Sequence, residues 1–153
     1  MWPFKSKPKT KTLASVNWEG PWREAEGQQG GRPLVARIHM GVEPLIGDGR
    51  YPHLVGVALK LRRPDDQGMP TPEEAPTIER VERRFREVLE RGHRSVQVLA
   101  LTTAGRHELV FYTRDPGWAG ETAAALGAEV GPMPVEVQVD RDPRWELFNR
   151  FYS

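Results

Sequence analysis

Between residues 53 and 140 the spacing of apolar side chains switches repeatedly between strand-like and helical, in the order strand, helix, strand, strand, helix, strand. Residues 53–62 alternate cleanly, with Val55, Val57, Leu59 and Leu61 on one face and Gly56, Ala58, Lys60 and Arg62 on the other. Ile78, Val81, Phe85, Val88 and Leu89 then fall on one helical face, with Glu and Arg opposite. Thr71-Pro72-Glu73-Glu74 predicts the start of that helix, with Glu74 closing a capping box, and Gly92 predicts its end. Pro76 is expected to bend or delay the first turn. Strands over 96–103 and 107–114 meet at Ala104-Gly105 as a tight hairpin. Asp115-Pro116 opens a second helix through residue 128, with Trp118, Thr122, Ala125 and Leu126 as its inner face. Val135, Val137 and Val139 mark the last strand, over 134–140. This order predicts an α+β, ferredoxin-like βαββαβ fold, an antiparallel sheet with both helices on one face. Right-handed crossovers then put strands 53–62 and 107–114 in the centre.

Around this core the sequence predicts additions. Residues 15–25 and 33–40 flank Gly27-Gln28-Gln29-Gly30-Gly31 and read as a β-hairpin, followed by a loop over 42–52. Asp142-Pro143 caps a short C-terminal helix on which Trp145, Phe148 and Tyr152 share a stripe. The expected organisation is a disordered basic tail over 1–12 and one domain over 13–153. That domain divides into a hairpin extension over 13–52, the core over 53–141 and a helical turn over 142–153. Gly56 and Ala58 leave a trough on the face without helices. At least one of Trp18, Trp22 and Trp145 is expected to cover part of that face. Arg106, Glu108 and Tyr112 would then remain at its rim.

Composition narrows the chemistry. The 153 residues contain no cysteine, which excludes a disulfide framework, a Cys-ligated metal and a thiol nucleophile. Lys5, Lys7, Lys9 and Lys11 give the tail a charge of +4, and the other 141 residues hold 18 basic and 21 acidic side chains, a net of −3. A body of that sign is a poor phosphate-binding surface, so no nucleic acid is expected as a partner. No apolar run reaches the roughly 18 residues of a membrane span. His39, His53, His93 and His107 stand far apart with no His-x-x-x-His pair, so no metal or other cofactor is expected. None of the four serines lies in a Gly-x-Ser-x-Gly turn, and neither Gly-rich loop has the context of a phosphate cradle.

One constellation stands out. Arg106, Glu108 and Tyr112 share a strand face, with Lys60 and Arg62 on the neighbouring strand. A glutamate between cations and a tyrosine suits acid–base work or a polar ligand. The plainer alternative is a lattice of cross-strand ion pairs with Tyr112 as a packed aromatic.

Four motifs occur in order: Gly68-x-Pro70-Thr71-x-x-Glu74, Thr102-x-x-Gly105-Arg106-x-Glu108, Phe111-Tyr112 and Asp142-Pro143-x-Trp145. Together they resemble a bacterial domain family of unknown function and the related family of the regulator of ribonuclease activity B. That regulator is a small cytoplasmic protein that inhibits an endoribonuclease by binding it. The resemblance covers residues 53–152 and implies a ferredoxin-like fold, a cytoplasmic location and no known catalytic residues. Phe148 stands where these families often carry Tyr. The candidate binding set is therefore Arg106, Glu108, Tyr112, Lys60, Asp142 and Trp145. Two functions follow: a non-catalytic regulatory module whose partner is another protein, or a small-ligand binder or enzyme using Arg106, Glu108 and Tyr112. Deleting residues 1–12 is expected to leave the melting temperature within a few degrees of the full chain. A larger drop in a thermal melt would mean a docked tail.

Overall fold

The computed structural model describes residues 15–153, so the tail predicted over 1–12 lies outside the described residues. Six strands, β1 (Trp22–Gln29), β2 (Arg32–His39), β3 (His53–Lys60), β4 (Ser95–Thr103), β5 (Arg106–Thr113) and β6 (Val135–Arg141), form one sheet. Their order is β1-β2-β4-β5-β3-β6, and every neighbouring pair is antiparallel. Three helices accompany them: α1 (Ala75–Leu89), α2 (Pro116–Val130) and α3 (Glu146–Tyr152). The fold is α+β.

The hairpin is not a separate extension. Leu34 through Ile38 of β2 pair with Thr103 through Leu99 of β4, so the sheet widens and its middle pair becomes β4 and β5. The cause lies in β4, where every residue but Thr103 is buried. A strand apolar on both faces does not stand at an edge with its backbone groups bare. The hairpin turn is also tighter than expected. Only Gly30 and Gly31 form it, at φ 59° and 78°, while Gly27, Gln28 and Gln29 continue β1. Two successive positive φ values are what a two-residue hairpin of this twist demands.

Helix α1 begins at Ala75, which seats Pro76 in the first turn, where a missing N–H costs little. Glu74 closes no capping box. Its carboxylate turns back to accept the backbone N–H groups of Arg62 at 2.6 Å and Arg63 at 2.9 Å. Helix α2 also departs from expectation: Ala119, Ala123 and Leu126 are buried, Ala125 is exposed and Trp118 is half-buried. Close approach to β6 decides this. A Cβ at Gly120 would come 3.1 Å from Val139, and one at Gly127 would come 3.0 Å from Val135. The helix face that meets the sheet is selected for smallness, and the large indole is pushed aside.

Each sheet face carries its own apolar core. On one, Val55, Val57, Leu59, Leu109 and Phe111 pack against Ile78, Val81, Phe85 and Leu89 of α1 and the small face of α2. On the other, Val96, Leu99, Val110 and Tyr112 pack beneath Trp145 and Phe148. The segment expected to be a loop over 42–52 adds Val42, Leu45 and Tyr51 to this second core, partly through a 3-10 turn over Met40–Leu45. Trp145 covers the face as expected, stacked on Tyr112 with centroids 4.1 Å apart. It does not fill the trough. A Cβ at Gly56 would meet a Glu108 carboxylate oxygen at 3.6 Å, so that side chain lies beside the gap.

Loop 61–74 is fastened to the β4–β5 hairpin at Gly68. Gly68 has φ +83°, and a Cβ there would stand 2.9 Å from Ala104 Cα and from Gly105 N. Gly105 N donates to Gly68 O at 2.9 Å, and Leu61 N to Gly105 O at 2.9 Å. Gly68→Ala is therefore expected to cost about 1–3 kcal/mol, because it adds left-handed strain and a backbone clash together. Trp145→Ala is expected to cost roughly 3–5 kcal/mol as a large buried truncation. Chemical denaturation of both variants checks these values; a change under about 0.5 kcal/mol, the level of an ordinary surface substitution, would contradict either.

Candidate functional site

The helical spacing places Glu82 four residues after Ile78 and three before Phe85, inside the apolar stripe of α1. It is 7% exposed, wedged between α1 and the sheet. A carboxylate there must be answered by donors. His107 of β5 meets Oε1 from Nε2 at 2.9 Å, while Gln97 of β4 and Arg37 of β2 donate to Oε2 at 2.9 and 2.6 Å. Burial alone would push the Glu82 carboxyl up. The His107 hydrogen bond and the Arg37 charge, with Gln97, outweigh it and bring it down to about 2. Glu82 is thus ionised, so His107 Nε2 carries a hydrogen. In the neutral ring Nδ1 then accepts from the Thr102 hydroxyl, 2.8 Å away.

This chain of groups forms the floor of a cleft of about 470 Å³ between α1 and the sheet. Arg37, Arg83 and Arg86 stand around it, with Glu79 on the same wall. The Trp22 ring lies 5.5 Å from the Arg37 guanidinium and 5.9 Å from that of Arg86, close enough to hold both. Arg86 also lies 3.7 Å from Glu90. Glu90 in turn accepts the Gln97 N–H at 2.7 Å, at the irregularity where β4 slips register against β5. Arg83 is exposed and has no ion-pair partner among the described residues.

The residues expected from sequence to form a site divide into two groups. Tyr112, Asp142 and Trp145 come together, but inside the second core. The Tyr112 hydroxyl donates to Asp142 at 2.6 Å, and Asp142 accepts the N–H groups of Glu146 and Leu147 at the start of α3. Trp145 donates its indole N–H to Tyr51 O at 2.9 Å. Burial, and then the Asp142 hydrogen bond, hold the Tyr112 phenol protonated well above its ordinary range. Tyr112 is fully buried, not at a rim, because α3 lies across it. Lys60 and Arg106 border a smaller recess of about 210 Å³ with Glu136, to which Arg106 is paired at 3.3 Å. Glu108 is half-buried on the same face, against Gly56.

Sequence reasoning passed over Glu82, His107 and Thr102. The signals were present: Glu82 at an inward helical position, and His107 in strand alternation with Leu109 and Phe111. Of the remaining histidines, His39 is buried with Nε2 toward Trp18 O at 3.0 Å, and His93 stacks on Trp18 at 3.7 Å.

A family model described as a family of unknown function, DUF695, matches residues 21–153. The chain belongs to the DUF695 family. No curated protein matches it, and no solved structure matches it. The DUF695 match spans the cleft, both sheet faces and the two motifs joined at Gly68 and Gly105. No helix among the described residues is long and apolar enough to cross a membrane.

The depressed Glu82 value fixes the sign of a pH effect. An unfolded glutamate titrates near 4.5, so the stabilisation is whole above that pH and is lost as pH falls toward about 2. Glu82→Gln is expected to lower stability at neutral pH by about 3 kcal/mol, at roughly 1.4 kcal/mol per pKa unit. It should also flatten the loss between those limits. Denaturant melts across the acid range check this, and an unchanged acid slope would contradict it.

Proposed function

We propose that this DUF695 chain is a non-catalytic, cytoplasmic regulatory module that binds another protein through the cleft between α1 and the β2–β4–β5 part of the sheet. One observation carries the reading: the floor groups of the cleft satisfy one another, whereas the cationic rim is outward and partly unspent. The Thr102–His107–Glu82 chain has the order of a nucleophile, base and orienting acid. Thr102, however, lies in an interior strand opposite Val35 of β2 and His107 of β5. Amides in such a strand are committed to the ladders, so the strand that carries Thr102 offers no pair of backbone N–H donors to an oxyanion. Recognition fits this arrangement better than catalysis.

The recess at Lys60 and Arg106 is the second candidate, and it favours a small ligand because it is compact and concave. Within the wider sheet, the order β4-β5-β3-β6 supports reading residues 53–141 as a ferredoxin-like unit, the fold implied by the resemblance to the ribonuclease regulator. That resemblance also supports a protein as partner.

Site-specific photo-crosslinking in the native cell tests the proposal. A crosslinking side chain at Glu79, on the cleft wall, is expected to trap a discrete protein, while one at Glu136 traps none. Crosslinks confined to Glu136 would overturn the choice of site. Absence of crosslinks at both positions would overturn a protein partner.

A further inference from the structure

We infer that His39 is an acid-sensitive latch beside the cleft: its neutral ring fastens residues 15–21 and, through them, Trp22, and its protonation releases both. The inference rests on the cleft reading above, to which it adds a means of regulation. His39 is fully buried at the end of β2. Its Nδ1 receives the Gly41 N–H at 3.1 Å, and its Nε2 stands 3.0 Å from the Trp18 carbonyl oxygen. An amide N–H only donates and a carbonyl only accepts, so Nδ1 is bare and Nε2 carries the hydrogen. The charged ring has no such fit. A hydrogen on Nδ1 would point at the Gly41 N–H, and that contact must break. Gly41 has little room to turn away, because a Cβ there would overlap Asn17 O and Gly20 O. The segment is held at the same place by Asn17 N donating to Gly41 O at 3.0 Å and Met40 N to Pro21 O at 2.7 Å.

Trp22 carries the effect to the cleft. A Cβ at Gly20 would come 3.1 Å from Trp22 Cδ1, so the segment backbone lies against the indole. The same ring stands 4.7 Å from His39, 5.5 Å from the Arg37 guanidinium and 5.9 Å from that of Arg86. A segment that lifts therefore frees the ring that restrains two of the cleft's arginines. Lifting can be local. Ser15, Asn17, Glu19 and Pro21 are exposed, and Val16 is the one apolar side chain of the segment that is wholly buried.

The charged groups around His39 come from three elements. Glu19 lies in the segment itself; Arg86 of α1 is paired with Glu90 at 3.7 Å, and Arg37 of β2 with Glu82 at 2.6 Å. Burial first, with Arg86 adding to it, holds the His39 ring below its ordinary 6.5, against the Trp18 carbonyl and Glu19. The neutral form is thus the one the fold favours, so the latch is whole above pH 6.5 and weakens as pH falls below it. His93 is the other titratable ring at the segment, stacked on Trp18 with centroids 3.7 Å apart. Charge on that ring would strengthen its hold on the indole, the opposite sign.

The test is a pH titration of the full chain by heteronuclear NMR, with no partner added. At neutral pH the His39 ring is expected as the Nε2–H form. Below pH 6.5 the exchange protection of the Asn17 and Met40 amides, corrected for intrinsic rate, should fall by up to about tenfold per pH unit. The Gly41 amide and the Trp22 indole should shift over the same range while the Trp145 indole stays unchanged. His39→Asn should abolish the step, because its side-chain oxygen still accepts the Gly41 N–H without titrating. His93→Phe should keep it. An Nδ1–H ring at neutral pH, or a His39 titration that leaves Gly41 and Trp22 unmoved, would overturn the inference. So would loss of the Trp145 signal together with that of Trp22, a step that survives His39→Asn, or one that vanishes in His93→Phe. Should His39→Asn not fold, the parent titration decides alone. The crosslinks at Glu79 decide protein binding separately, so failure of the latch leaves that reading intact.

Discussion

A carboxylate buried between a helix and a sheet fixes where both must lie. Glu82 gathers Arg37 from β2, Gln97 from β4 and His107 from β5, so three strands are registered against α1 by one side chain. An apolar interface tolerates sliding by a fraction of a helical turn; a hydrogen-bonded anion does not, because each displaced donor leaves a buried group unanswered. The cleft follows from the same constraint. Polar groups meeting at Glu82 take the place of further apolar packing there, and the concavity stays open above them.

The second dependency is the burial of β4. Because that strand is covered on both faces and both edges, the β1–β2 hairpin must join the sheet and α3 must lie across its far face. Arg23 of β1 donates to the carbonyls of Phe151 and Tyr152, which ties the hairpin to that helix. The aromatic set under α3 is thus a structural closure, and the cationic cleft is left as the larger of the two concavities described.

Much of the fold was legible in the sequence because its signals are local. Period-two alternation in β3 and β6, helical spacing from Ile78 to Leu89 and the Asp115 and Asp142 caps each act within a few residues. What escaped was set by tertiary contact. Glu74 resembled a capping-box residue, yet amides twelve and eleven residues upstream claimed its carboxylate. The inner face of α2 was read from its largest side chains, whereas its distance from β6 selected alanine and glycine. The candidate site divided in the same way. Tyr112, Asp142 and Trp145 do converge, but their mutual hydrogen bonds and stacking occupy them. Glu82 and His107 were read as a charged face and an isolated histidine, because pairing between residues 25 positions apart leaves no local mark.

The two outer strands have a consequence for behaviour in crowded solution. Among the described residues, β1 and β6 are the sheet's two edges, each with a row of backbone donors and acceptors that no further strand pairs, the arrangement that invites one copy to extend its sheet with another. β1 carries Glu24 and Glu26, and β6 carries Glu136 and Asp140 among its exposed residues. With Arg23 on β1 and Arg141 on β6 counted, each edge keeps a net charge of −1, so edge-to-edge approach meets like net charge at every pairing. The exposed Val139 sits directly beside Asp140. This net charge disfavours open-ended extension of the sheet through either edge.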